Sequence, residues 1–165
     1  MNTKVQVEME SGGQFVIELY PDMAPKTVEN FVGLVQDGFY DGLGFHRIVD
    51  GFMAQGGDPS GNGTGGSENN IPGEFSTNGF AQNTLKHTKG VISMARSQSP
   101  DSASSQFFIM LADIPSLDGS YAAFGKVIEG MDVVEAFQKV DRLYNTMGEA
   151  ASPREPVIMK KVTIV

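Results

Sequence analysis

The chain has 165 residues, a length that suits one domain with a substantial hydrophobic core. Its composition, 40% hydrophobic and 19% charged, is ordinary for a soluble globular protein and argues against wholesale disorder. The net charge of −8 argues against a nucleic-acid-binding protein, which needs a basic face, and the absence of cysteine excludes disulfides and thiolate metal sites.

The sequence shows neither a signal peptide nor a membrane-spanning segment. The opening residues, MNTKVQVEME, are polar and alternating, without the apolar stretch of a signal peptide. The longest apolar run, FFIMLA (107–112), is far shorter than the ~20 residues that a membrane helix needs. We therefore expect one soluble, cytoplasmic domain over residues 1–165 that binds neither nucleic acid nor membrane.

The first predicted element is a β-hairpin. Apolar and polar residues alternate in KVQVEM (4–9) and again in QFVIELY (14–20), with a glycine turn between them. After this hairpin the period changes to that of a helix. Its stripe, spaced i, i+3, i+4, i+7, consists of Val28, Phe31, Val32 and Val35. Pro25 suits the first turn of this helix and Gly38 its end.

The rest of the chain is dominated by predicted strands. They are FHRIV (45–49), GVISMA (90–95), SQFFIML (105–111), AAFGKVI (122–128) and PVIMKKVTIV (156–165). A second helix is predicted over residues 131–140, where Val133, Val134, Phe137 and Val140 keep helical spacing. Many short strands with two helices indicate an antiparallel sheet closed into a barrel or sandwich, with the first and last strands pairing to close it. The glycine-rich stretch 56–83 is predicted to be a long loop, either functional or disordered.

Several kinds of site can be weighed from motifs. GNGTGG (61–66) has the letters of a dinucleotide-binding loop but lacks the flanking strand and helix, so a structural turn is favoured, with Gly63 available to line a site. His46 and His87 show no zinc-ligand spacing, and a hydrogen-bonded structural role is favoured for His46. A serine-hydrolase elbow and a spaced carboxylate pair are both missing.

Two strands hold more informative residues. In SQFFIML, strand periodicity puts Gln106, Phe108 and Met110 on one face and the alternate residues on the other. A strand buried on both faces would explain this pattern except for Gln106. Arg47, taken alone, is most simply a surface charge. An apolar groove beside a cation is the alternative, and periodicity cannot choose between them.

The ordered series of motifs resembles the cyclophilin family of peptidyl-prolyl isomerases. The motifs are FHRIVDGFMAQGGD (45–58), GNGTGG (61–66), LKHTKGVISMA (85–95), SSQFFIML (104–111), LDG (117–119) and FGKVIEGMDVVE (124–135). The likeness covers essentially the whole chain. It implies an eight-stranded antiparallel β-barrel capped by two α-helices, and no cofactor or metal.

The resemblance also implies roles for individual residues. Arg47 matches the family's catalytic arginine and Gln55 the glutamine beside it. The substrate-binding positions are Phe52, Met53, Gly63, Ala95, Arg96, Ser97, Gln106, Phe108, Leu117 and Tyr121. Three departures stand out: Arg96 replaces an asparagine, Ser116 a tryptophan and Tyr121 a histidine. The resemblance implies that the tryptophan helps to hold the inhibitor cyclosporin, so we expect weakened cyclosporin binding.

The expected function follows from these residues. Rotation about an X–Pro bond breaks no covalent bond, so a cation in an apolar pocket suffices without a nucleophile. We expect a monomeric isomerase that acts on proline-containing peptides and unfolded proteins. A proline-peptide binding module or chaperone with little catalysis is the alternative, and a nucleotide-binding protein that uses GNGTGG is a third hypothesis.

Overall fold

The computed structural model describes residues 2–165. In this part of the chain the elements are β1 (Lys4–Met9), β2 (Gln14–Leu19), α1 (Pro25–Gln36), β3 (Phe45–Val49), β4 (Met53–Gly56), β5 (Val91–Met94), β6 (Phe107–Met110), β7 (Ala123–Glu129), α2 (Met131–Glu135), β8 (Arg142–Tyr144), β9 (Ala150–Pro153) and β10 (Met159–Ile164). Short 3₁₀ turns lie at Ser76–Asn78, Pro115–Leu117 and Ala136–Lys139. No helix within residues 2–165 is long and apolar enough to cross a membrane.

The predicted hairpin is confirmed. β1 pairs with β2 in an antiparallel register that places Val5 opposite Ile17 and Val7 opposite Phe15. All four of these side chains are buried, because the period-two pattern turns them to the same face of the sheet. This face forms one wall of the main core.

The main sheet has eight antiparallel strands in the order β10-β1-β2-β7-β5-β6-β4-β3. Its edges are joined by backbone hydrogen bonds from Gly42 N–H to the Met159 carbonyl (2.7 Å) and from Phe45 N–H to the Val157 carbonyl (2.9 Å). The sheet therefore curls into a barrel, as the resemblance implied. The predicted pairing of the first and last strands is confirmed by β1 and β10. That pair lies within the sheet, however, and the closing seam lies between the segments that precede β3 and β10.

The two helices pack against the barrel. α1 begins at Pro25, buries Val28, Phe31 and Val35, and ends before Gly38, whose φ of +73° suits a residue just past a helix. The predicted second helix is α-helical only over Met131–Glu135 and then tightens into 3₁₀ geometry through Lys139. This change is a common way for a helix to end, and it still buries Val134 and Phe137.

The sheet carries apolar residues on both faces. Inside the barrel, β6 contributes Phe107 and Ile109 to the main core. On its other face, Phe108 and Met110 pack with Met53 in a second cluster, so the strand is buried on both sides. The alternation predicted for SQFFIML is therefore correct. The second cluster forms the floor of the site described below.

The glycine-rich stretch 56–83 is an ordered loop. The buried carboxylate of Glu74 accepts hydrogen bonds from the Lys26 and Thr27 N–H groups and from the Thr27 hydroxyl. It thus fixes the loop to the first turn of α1, where backbone N–H groups have no helical partner. Of the two alternatives predicted for this stretch, a functional or a disordered loop, the disordered loop is excluded.

Candidate functional site

Three adjacent strands bring the central residues together. In the sheet register, Arg47 of β3 lies opposite Gln55 of β4, and Gln55 lies opposite Phe108 of β6. Directly paired residues project from the same face of a sheet, so the three side chains form one row. Met53 and Met110 are paired two residues farther along β4 and β6, and they therefore lie on the same face, next to this row.

This row opens into a pocket of about 160 Å³. Its lining consists of nine predicted site residues: Arg47, Phe52, Met53, Gln55, Ala95, Arg96, Phe108, Leu117 and Tyr121. Phe108 and Tyr121 meet edge to face, with ring centroids 5.6 Å apart. The pocket is therefore apolar on its floor and aromatic side, and the guanidinium of Arg47 stands at one wall.

A second depression of about 220 Å³ adjoins the first and shares Gln55, Ala95 and Arg96 with it. The remaining three predicted positions, Gly63, Ser97 and Gln106, line this depression. All twelve residues that the sequence singled out thus lie in two connected hollows. A larger cavity of about 610 Å³ lies beside α2 and contains none of them.

Arg47 is held on two sides. Its Nη1 donates to Oε1 of Gln55 (3.2 Å), while Nε and Nη2 donate to the two carboxylate oxygens of Glu149 (2.9 and 2.8 Å). A guanidinium has five N–H donors, so these bonds leave one on Nη1 and one on Nη2. The hydrogen bonds from Arg47 hold the pKa of Glu149 down to about 2, and its carboxylate is ionised at neutral pH.

Gln106 connects this pair to the glycine loop. Its Oε1 accepts a hydrogen bond from Gln55 Nε2 (2.9 Å), and its own Nε2 donates to the carbonyls of Gly63 (3.0 Å) and Gly65 (2.8 Å). A chain of side-chain amides therefore runs from the guanidinium of Arg47 to the loop. These hydrogen bonds explain why the polar Gln106 directly precedes β6, a strand that is buried on both faces.

The glycine loop is already folded around an anion of its own. The buried carboxylate of Asp58 accepts the N–H groups of Ser60, Asn62 and Gly63. Burial raises the pKa of Asp58, but these backbone hydrogen bonds outweigh burial and lower it. Because the N–H groups that would hold a phosphate are occupied, the loop is the structural turn that was predicted, with Gly63 at a φ of +94°.

The two departures at positions 96 and 121 are in direct contact. The guanidinium carbon of Arg96 lies 4.7 Å from the centre of the Tyr121 ring and 5.0 Å from that of Phe75. Its Nε and Nη2 also donate to the Ser120 carbonyl (3.2 and 2.6 Å). Arg96 therefore packs against the tyrosine that lines the pocket, and Arg96 itself stands at the border between the two hollows.

A buried polar group supports the pocket from below. His87 Nδ1 lies 3.1 Å from Asp118 Oδ1, and its Nε2 lies 2.9 Å from Ser93 Oγ. The imidazole stacks beneath the Phe108 ring, with centroids 6.0 Å apart. Burial lowers the pKa of His87, only partly offset by Asp118. Although this row repeats the order of a serine-hydrolase triad, Ser93 is fully buried and no substrate reaches its hydroxyl.

His46 corrects one prediction. Its Nδ1 is buried and finds no hydrogen-bond partner among residues 2–165, so the expected hydrogen-bonded role is wrong for that nitrogen. The ring lies beneath the glycine loop, where a Cβ added to Gly63 would be 3.5 Å from its Nε2. Burial lowers its pKa, against the opposing charge of Asp58. Within the described residues no group of three potential ligands could hold a metal.

Sequence reasoning missed Glu149. This residue lies in the turn between β8 and β9, a hairpin that was not predicted either, and it is 102 residues from Arg47 along the chain. A single glutamate among polar neighbours carries no pattern that would mark it. Neither of the two pocket linings includes it, because it contacts the far edge of the guanidinium.

Comparison with known proteins gives a consistent result. The family model described as cyclophilin type peptidyl-prolyl cis-trans isomerase/CLD matches residues 4–164. A probable peptidyl-prolyl cis-trans isomerase of Brucella suis is 46% identical over 139 residues, covering 77% of this chain and 67% of the relative. A peptidyl-prolyl cis-trans isomerase-like 1 protein of Neurospora crassa is 49% identical over 135 residues, covering 81% and 80%.

Solved structures agree with these relatives. A cyclophilin type peptidyl-prolyl cis-trans isomerase of Cryptosporidium parvum superposes with a TM-score of 0.87 at 29% identity, covering 100% of this chain and 98% of that one. A crystal structure obtained in the presence of the dipeptide Ala-Pro superposes with a TM-score of 0.85 at 30% identity, covering 98% of both chains. On its fold, its motifs and these likenesses, the chain belongs to the cyclophilin-type peptidyl-prolyl cis-trans isomerases.

Proposed function

We propose that this enzyme accelerates rotation about X–Pro bonds in flexible or folding polypeptides, with the proline ring in the 160 Å³ pocket and Arg47 beside the rotating amide. The observation that carries the proposal is the position of Arg47, at the wall of an apolar pocket with one N–H on each Nη uncommitted. The Cryptosporidium structure adds support, because that protein has a similar fold and was crystallised in the presence of the proline dipeptide Ala-Pro.

The chemistry suits these groups. A planar X–Pro amide is conjugated and its rotation barrier is ~18–20 kcal/mol. Midway through rotation the conjugation is lost and the proline nitrogen regains a lone pair. Arg47 donates a hydrogen bond to this lone pair, which is scarcely available in the planar ground state. The arginine therefore stabilises the transition state more than the substrate.

The arginine alone does not suffice. A charge-assisted hydrogen bond contributes about 1.5–3 kcal/mol, whereas a hundred-thousand-fold acceleration requires about 7 kcal/mol. The remainder is assigned to the apolar pocket. Phe52, Met53, Phe108, Leu117 and Tyr121 would hold the ring and remove water from the planar amide, whose larger dipole is better solvated than the twisted form.

The adjoining hollow would hold the chain on one side of the proline. Its lining includes Ala95, Arg96 and Ser97, as well as Gly63 and Gln106. The main chain of the first three would bind the peptide, as the resemblance implies. Gln55 supports the reaction by fixing Nη1 of Arg47 and is itself fixed by Gln106. We further propose that residues 1–165 act as one domain, as a cytoplasmic monomer that binds cyclosporin weakly because Ser116 replaces a tryptophan.

The main alternative is a binding module or chaperone that holds proline peptides without useful catalysis. The Arg47, Gln55 and Gln106 network favours the enzyme, since a binding pocket would not need a fixed guanidinium with free donors. A nucleotide-binding function has little support, because Asp58 occupies the loop N–H groups.

The direct test is the isomerisation rate of a proline tetrapeptide, measured by protease-coupled absorbance, for the unaltered protein and for Arg47→Ala. We expect measurable turnover that falls about tenfold to a hundredfold in the variant, the loss that corresponds to one charge-assisted hydrogen bond. Arg154→Ala, a change of an exposed arginine that lines the separate cavity beside α2, is the matched control. An inactive native protein that still binds the peptide would instead favour the binding module.

A further inference from the structure

The turn that carries Glu149 is built to hold one conformation. The Asn145 N–H donates to the Glu149 carbonyl (2.8 Å), and Asn145 Oδ1 accepts the N–H groups of Met147 and Glu149 (3.0 Å each). The Asn145 amide also donates to Glu149 Oε1 (2.9 Å). The carboxylate is thus fixed at both its backbone and its side chain.

The hairpin that presents this turn is anchored beside β3. Arg142, the first residue of β8, donates to both carboxylate oxygens of Asp50 (2.6 and 3.0 Å) and to the Ile48 carbonyl (3.2 Å). Asp50 directly follows β3, the strand that carries Arg47. The hairpin and the arginine therefore share one support, and the distance between Glu149 and Arg47 is set by the fold.

Glu149 and Gln55 bind different N–H groups of the Arg47 guanidinium. Glu149 occupies Nε and Nη2, one edge of the guanidinium, and Gln55 binds Nη1. The ion pair is only partly exposed, with 24% of the Arg47 side chain and 31% of the Glu149 side chain accessible. An arginine side chain without such partners would sample many rotamers.

We propose that Glu149 is a positioning residue for Arg47, which keeps the free N–H donors directed at the proline pocket and neutralises the arginine charge toward the rest of the peptide. This inference rests on the proposed role of Arg47. It adds a specificity property: with Glu149 ionised, the charge of Arg47 is compensated beside the pocket. Arg47 then adds little preference between acidic and basic residues beside the proline.

Two variants separate position from charge. Glu149→Gln keeps the length and one acceptor but removes the charge, whereas Glu149→Asp keeps the charge and shortens the reach by one methylene. We expect Glu149→Asp to lower kcat by about twofold to tenfold, the range of one hydrogen bond, with no change in charge preference. We expect Glu149→Gln to shift the ratio of kcat/KM for a Glu-Pro peptide over a Lys-Pro peptide upward by about fivefold.

The controls decide how the result is read. Glu155→Gln makes the same change in net charge on an exposed residue that lines the separate cavity beside α2, and it should leave the ratio unchanged. In an Arg47→Ala background, Glu149→Asp should have no further effect on kcat. An equal effect of Glu149→Asp on kcat with and without Arg47 would show a merely structural role and overturn the inference.

The inference and the proposed function fail differently. An inactive native protein contradicts the proposed function. If Arg47→Ala loses turnover while both Glu149 variants keep the native rate and charge preference, only the role of Glu149 is contradicted. If Glu149→Gln fails to fold, Glu149→Asp still tests the positioning effect through kcat.

Discussion

Replacing Gln106 with leucine tests the amide chain between Arg47 and the glycine loop. The substitution keeps a similar volume but removes three hydrogen bonds: one with Gln55 and those to the Gly63 and Gly65 carbonyls. At about 0.5–1.5 kcal/mol each, they total about 1.5–4.5 kcal/mol. Because the loop carbonyls border an open hollow and water replaces part of the loss, we expect the free energy of unfolding to fall by about 2 kcal/mol.

Urea denaturation measures this loss. With a slope of about 2 kcal/mol/M, the midpoint should fall by about 1 M while the slope stays constant. The same variant frees Gln55, so kcat/KM for a proline tetrapeptide should fall by more than in Gln98→Leu, a matched control on an exposed loop. An unchanged midpoint together with unchanged turnover would refute the view that this amide chain supports both the loop and the arginine.

Two further predictions concern pH and inhibition. Burial lowers the pKa of His87 and of His46 in the folded state, so the unfolded chain binds more protons below about pH 6.5, and thermal melts should show Tm falling as the pH is lowered from 7.5 to 5. A Tm that stays level or rises over that range would contradict this. Ser116 is exposed beside Leu117 at the pocket, so Ser116→Trp should increase the affinity for cyclosporin by about tenfold in inhibition assays, and unchanged inhibition would argue against this position.

The parts of the fold with a clear period were predictable. The hairpin of β1 and β2 and the stripe of α1 follow from alternation and helical spacing, since each repeats over six residues or more. β4 (MAQG) was missed because it has four residues and no alternation, and its register is set by β3 and β6 on either side. β9 (AASP) has few strand-forming residues and depends on pairing with β8.

The site could be predicted only as a set. Taken singly, Arg47 was most simply a surface charge, and only the ordered motifs assigned it a place beside Phe108 and Gln55. Its second partner stayed hidden, because the contact with Glu149 depends on how the hairpin of β8 and β9 packs beside β3. Side-chain partners distant in sequence are fixed by tertiary packing, and local pattern does not report them.

The closing seam of the barrel has a consequence for synthesis. β10 pairs with β1 along its length, and the residues just before it form the seam with Gly42 and Phe45. Until residues 157–164 leave the ribosome, β1 has a free edge and the barrel stays open. We therefore expect the barrel to close only after residues 157–164 have been translated, and until then the free edge of β1 can pair with other chains. The seam thus makes completion of the barrel depend on β10, which lies far along the chain from its partner β1.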